Sequence, residues 1–370
     1  MQNEETKTMK TQLNLAVLAL LLATGNRQLS TLHAQGVLTP PGAPAAGMKT
    51  LAQIEPRTPI SAAPFTISTA GSYYLTTNLT VSVGNAITVS ANNVTLDLNG
   101  FTLASTETPA GSSIGISLNS VTNTTIAHGC ISSGVTNSGG IYGGSGFGSG
   151  IYYLGLAPVN VRVSGVSVSG CRVNGMFLGT SSVVEFCTVN TMGNFGIVAE
   201  TVSDSLAQNC GNTAVYAYGN ANNCFGYASG SANGVYANAA NNCYGTSSGG
   251  SGLAASIANN CYGYTASNNN GLSATVANNC FGQSANGNGI SATAATGCYG
   301  QSDAGLYSGV LASTANNCVG YSYGGGYGLY AYYIANGCYG YSASGTGLNA
   351  LIASVCHGST LSTSHSVNSF

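Results

Sequence analysis

The chain has 370 residues, only 4% of them charged, with 7 Lys and Arg against 9 Asp and Glu for a formal net charge of -2. A nucleic-acid binder needs a field of basic residues to displace condensed counterions, and no Lys or Arg follows Arg172, so that class is excluded. Hydrophobic residues make up 44% of the chain with little charge to repel them, which excludes intrinsic disorder.

Residues 1–34 read as a secretory signal peptide. Lys7 and Lys10 precede the apolar run from Leu13 to Ala23, and small residues then allow cleavage after Gly25 or Ala34. The run is too short for a membrane-spanning helix of about 20 residues, and no later segment resembles one. The mature chain is therefore expected to be secreted or held at the cell surface, with no transmembrane segment. Residues 35–69 begin with a leader containing Pro40, Pro41 and Pro44, and continue into an expected N-terminal cap from Gly47 to Ser61.

Residues 70–204 alternate in the manner of half-buried strands. Val94, Leu96 and Leu98 share one face, and Ile116, Leu118, Ile126, Val161, Val163, Val166 and Val168 continue the pattern. The Gly-rich stretch at 139–155 is expected to leave the stack as a flexible loop.

Residues 205–356 repeat. The cysteines at 224, 243, 261, 280, 298, 318, 338 and 356 are separated by 19, 18, 19, 18, 20, 20 and 18 residues. Val235, Leu253, Leu272, Ile290, Val310 and Leu348 each stand eight residues before the next Cys. Length variation therefore falls in the Ser/Gly/Asn segment after the Cys, where a loop absorbs it. Each unit offers two short strands, around phrases such as "CYGY" and "GLSATV". On the second, Leu272, Ala274 and Val276 are expected on one face. A unit this short cannot bury its apolar face alone, but stacked copies can, each inward position becoming a column of like side chains. The predicted fold is all-β: a single-stranded right-handed parallel β-helix, about 18–20 residues per coil in the C-terminal half. Roughly twelve to fourteen coils at about 4.8 Å each give a rod on the order of 60 Å long. Residues 357–370 form a short polar tail, a poor cap that leaves the last edge open to docking.

The phrases "LTPPGAPAAGMKTLAQIEPRTPIS", "GSYYLTTNLT" and "ANNVTLDLNGFTL" resemble the opening of secreted bacterial right-handed parallel β-helix repeat proteins, which have a pectate-lyase-like fold. The specific part covers about residues 37 to 104; beyond it, only the repeat style matches. The family includes polysaccharide lyases and glycoside hydrolases alongside exported proteins of no known activity. The resemblance implies the fold and brings no recognisable catalytic set. A lyase would need acidic residues to hold calcium and an Arg or Lys base, and an inverting hydrolase two or three clustered carboxylates.

Glu185, Glu200 and Asp204 are the only acidic cluster, with Arg162 and Arg172 one or two coils earlier. If the protein is an enzyme, these five residues carry the chemistry, in a shallow cleft on the irregular coils; otherwise they neutralise one another on the surface. No cofactor motif and no metal-ligand spacing is present.

Two structural readings hold for Cys224, Cys243, Cys261, Cys280, Cys298, Cys318, Cys338 and Cys356. Stacked neighbours about 4.8 Å apart at Cα fall within disulfide range, or the column packs as free buried thiols. Packing is the preferred reading, with partial oxidation left open. Aromatic residues recur directly after Cys, and Tyr264, Tyr321 and Tyr341 stand two positions further on. Tyr244, Tyr262, Tyr264, Tyr299, Tyr321, Tyr339 and Tyr341 are thus ligand-contact candidates, flanked by Asn and Ser. They suit a neutral polysaccharide or a cell-surface protein, because a wall without cations disfavours acidic glycans. Equally, the rings can stack on one another and serve stability alone. The leading expectation is an exported, non-enzymatic structural or adhesive protein; the competing one is a polysaccharide-active enzyme.

Overall fold

The computed structural model describes residues 56–367, so the expected signal peptide and the first part of the leader and cap lie outside the described residues. Apart from the hairpin Thr136–Ser138 and Ile141–Gly143, the described strands join one continuous sheet in which every pairing is parallel. The fold is a single-stranded right-handed parallel β-helix with turns of about 19 residues in the C-terminal region.

One regular coil explains the rest. The strand Leu272–Asn278 pairs in register with Leu253–Asn259 below and Ile290–Thr296 above. After Asn279 and Cys280 the chain enters Phe281–Ser284, which pairs with Tyr262–Thr265 and Tyr299–Ser302. Alternation sends Cys280, Gly282 and Ser284 inward and leaves Phe281 and Gln283 on the outer wall. The first strand does not alternate throughout. Leu272 and Ala277 are fully buried, Ala274 packs against the core from a partly exposed position, and Val276 is half-exposed. Val276 was expected inside with Leu272. It is displaced because the ladder skips Ser256 and Thr275, where the strand turns a corner and exchanges its faces. Its register partner Ile257 is 44% exposed for the same reason.

The paired Asn before each Cys have separate tasks. The first forms an amide ladder along the stack: Asn241 donates to Asn222, Asn259 to Asn241 and Asn278 to Asn259, each at 2.9 Å. The second sits at the left-handed corner, with φ of 53° at Asn223, Asn242 and Asn260 and 52° at Asn279. Asn tolerates that conformation better than other side chains, and Gly297 and Gly337 replace it at the same corner. Val355 also occupies the corner, at φ 52°, although a β-branched residue is strained there. Val355 is 57% exposed, so little burial is at stake. Val355→Asn is expected to stabilise the last coils by about 1 kcal/mol, read as a higher denaturant midpoint.

A second inward column is polar and satisfied. The hydroxyls of Ser247, Thr265, Ser284 and Ser342 are buried and donate to Ala232, Gly250, Asn269 and Gly326 carbonyls at 2.6 to 2.7 Å. Each bond reaches the loop of the preceding coil, fixing the variable Ser/Gly/Asn segment against the stack.

The N-terminal coils are filled by the alternating residues read from the sequence, Val94, Leu96, Leu98, Ile116, Leu118 and Ile126 among them. Only part of 139–155 lies outside the stack. Its hairpin folds over the neighbouring coils, where Tyr142 Oη donates to the Asn209 carbonyl at 3.0 Å and shares a 2.6 Å hydrogen bond with Ser229. Phe147 is then fully buried, and Ser149–Leu154 pairs with Ile114–Asn119. At the other end, Leu361–Val367 is no free tail but a further rung paired with Leu348–Ser354.

Candidate functional site

The residue after each Cys faces outward in register, so aromatic side chains at that position stack along the solenoid. Phe225, Tyr244, Tyr262, Phe281 and Tyr299 form one file with ring centroids 5.2, 4.4, 4.9 and 4.8 Å apart. Their planes lie within 3 to 11° of parallel. Each inner ring therefore has both faces covered by neighbours and presents only its edge to solvent. Tyr262 is fully committed in this way, between Tyr244 and Phe281. Burial, then the nearby phenols of Tyr244 and Tyr264, raise the Tyr262 hydroxyl above its ordinary pKa, so it stays a neutral donor and acceptor. A shallow groove of about 540 Å³ runs beside these edges, lined by Asn242, Asn260, Asn279, Tyr244, Tyr262 and Tyr299 with the intervening Cys.

The file breaks at one place. The residue in register between Tyr299 and Tyr339 is Val319. Without a ring there, one face of Tyr299 and one of Tyr339 lose their parallel partner. Tyr321 leans into the gap, 5.4 Å from Tyr299 at 33°, 5.8 Å from Tyr339 at 51° and 5.9 Å from Tyr341 at 45°. Tyr323, 52% exposed, lies 6.4 Å from Tyr321. Rings at these tilts do not lie flat on one another as in the regular stack; Tyr299, Tyr321 and Tyr339 are half-buried and Tyr323 is exposed.

A carboxylate stands beside this cluster. Asp303 accepts from Gln283 Nε2 at 2.9 Å and from Gln301 Nε2 at 2.6 Å, and its charge contributes to the raised pKa of Tyr299, which burial mainly causes. Gln283, Gln301, Tyr321 and Tyr341 are successive members of one ladder column. Four of the seven tyrosines named from the sequence thus gather here: Tyr299, Tyr321, Tyr339 and Tyr341. Tyr244 and Tyr262 belong to the closed file. Tyr264 stands apart, its ladder neighbours being Thr246 and Gln283. Sequence reasoning missed Tyr323, Asp303 and the two Gln. The available signal was the replacement of an aromatic by Val at 319, one coil from Asp303.

Of the five residues of the enzymatic reading, Glu185 has Ser203, the neighbour of Asp204, as its ladder partner, and Val183 has Thr201, the neighbour of Glu200. Arg162 pairs with Glu185. Asp204 takes a left-handed corner at φ 49° and accepts from Asn223 at 3.0 Å, lining a second groove of about 530 Å³ with Phe186 and Phe225. Glu200 lies at another corner against Gly219, and Arg172 donates to the Ala110 carbonyl at 2.9 Å. Asp97 is held by Arg57 at 3.3 Å and His128 at 3.4 Å.

No family model matches the chain, and no curated protein is similar to it. Among solved structures, the crystal structure of Dettilon tailspike protein (gp208) is similar over 83% of this chain, at 13% identity and a TM-score of 0.33. The match spans 61% of that chain, under two thirds of its length. Among the described residues, no helix is long and apolar enough to cross a membrane.

Proposed function

We propose that this chain is an exported, non-catalytic adhesive β-helix that contacts neutral glycans through the tyrosine cluster around Val319. The observation that carries the reading is the interruption of the aromatic file. Along the file from Phe225 to Tyr299 the rings lie parallel on one another, while Tyr299, Tyr321 and Tyr339 meet at a tilt and the exposed Tyr323 beside them offers a face for the C–H faces of a sugar. Asp303, oriented by two Gln amides, supplies acceptors for sugar hydroxyls beside them. Asp303 is the only permanently charged side chain after Asp204, so the wall around it repels acidic glycans.

The test is a glycan array probed with the chain from residue 35, followed by titration of each hit. Tyr321→Ala is expected to weaken binding on the order of tenfold, the cost of losing an interface anchor. Tyr262→Ala, whose ring faces are already covered, should leave affinity unchanged and lower thermal stability instead. Equal affinity of Tyr321→Ala and the parent, or sugar release from any bound glycan, overturns the proposal.

A further inference from the structure

The eight sulfurs from Cys224 to Cys356 form an uninterrupted inward file. Cys187 stands two coils beyond it, with Ser205 at the intervening step, whose hydroxyl accepts from the Cys187 amide at 3.1 Å. Within the file one side-chain conformation repeats. Cys243, Cys261 and Cys280 Sγ each lie 3.3 Å from the carbonyls of Ala221, Ala240 and Ala258, respectively. Each also lies 3.2 to 3.3 Å from the carbonyl of the Asn two residues earlier. A repeated conformation on a repeated register sets adjacent sulfurs about one strand spacing apart, ~4.8 Å. All eight are free thiols.

A straight file cannot wrap four ligands around one point, as a structural zinc site requires. Linear coordination needs only two sulfurs on opposite sides of an ion. A metal–thiolate bond of about 2.3 Å places two such sulfurs roughly 4.6 Å apart, within a few tenths of an ångström of the strand spacing. Thiolate is a soft ligand and selects soft cations such as Cu(I). Charge favours the same class. Each bound thiol breaks its S–H bond, releases the proton to solvent and forms S–metal bonds, with no change of oxidation state. Eight thiolates with seven monovalent ions between them carry a net charge of only -1, which limits the cost of burying charge.

We propose that the Cys224–Cys356 file binds soft monovalent d10 cations of the Cu(I)/Ag(I) class, held linearly between successive thiolates.

The test is anaerobic titration of the fully reduced chain with silver nitrate in chloride-free buffer, with ions counted by native mass spectrometry and the fold followed by circular dichroism. The expected result is saturation at several ions and no more than seven, the number of gaps in the file. The β signal should persist and thermal stability rise. Binding should tighten as pH rises, because each ion displaces thiol protons. Cys280→Ser should lose the two ions it bridges, while Cys130→Ser, outside the file, should lose none. X-ray absorption on the parent protein keeps the proposal testable if the Cys280→Ser variant does not fold: two sulfur neighbours per silver are expected. Three or four sulfur neighbours, uptake only with loss of the β signal, or thiols found already paired as disulfides in the purified chain would each overturn it.

Discussion

Phe147→Ala is expected to cost about 3–5 kcal/mol, the range for removing a fully buried aromatic side chain from a packed core. A urea or guanidinium titration should show the loss as a lower midpoint with an unchanged slope. Phe147 has no exposed surface, and its amide donates to Ser133 Oγ at 2.8 Å while its carbonyl accepts from the Arg172 amide at 3.2 Å. Side chain and backbone together return the chain to the stack after the hairpin. A drop under about 1 kcal/mol would mean that the irregular coils repack freely, against the behaviour of a close-packed core.

That residue also marks where the sequence stopped being informative. "GGIYGGSGFGSGIYYLG" has the composition of a loop, and composition alone assigned all of it to one. About a third of it, Ser149–Leu154, is a strand of the stack. Its glycines reflect close backbone approach, as at Gly150, where an added Cβ would meet the Gly175 carbonyl at 2.6 Å. The regular half was far more legible, because a spacing of 18 to 20 residues over eight cysteines fixes both coil length and register. What alternation could not reveal there was the corner at Ser256 and Thr275, since a period of two continues through a bend on paper while the faces exchange in space.

Gly263→Val should be strongly damaging to the regular coils, costing about 3 kcal/mol or more through overpacking. A Cβ at Gly263 would stand 2.2 Å from the Gly271 carbonyl oxygen, and one at Gly282 equally close to that of Gly289. Both obstacles are backbone, so no side chain can rotate away. Nearest-neighbour coupling along a solenoid then passes the displacement to the coils above and below. Thr275→Val, on the exposed corner of the next coil, serves as the comparison and should stay within about 0.5 kcal/mol. A Gly263→Val midpoint matching that of Thr275→Val would show that the bore is wider than the carbonyl positions indicate.

The candidate site was half legible for a related reason. Recurrence identified the outward tyrosines, but recurrence is also what lets neighbouring rings cover one another. The informative position is the exception, Val319, and an exception carries no weight until the ladder shows which rings it separates. Asp303 has no acidic neighbour in the sequence, and its partners Gln283 and Gln301 emerge only from the ladder column and the hydrogen bonds they donate to it.

Uniform register has a genetic counterpart. Excising Cys261 through Asn279 would join Asn260 to Cys280, regenerating the same Asn–Cys phrase and placing Phe281 above Tyr244 in the vacated ladder step. Near-identical coding units invite unequal recombination, and here its products would still close their hydrogen-bond ladders. Length can therefore change by whole coils, and a coil removed ahead of Asp303 leaves the spacing from Asp303 to Val319 unchanged.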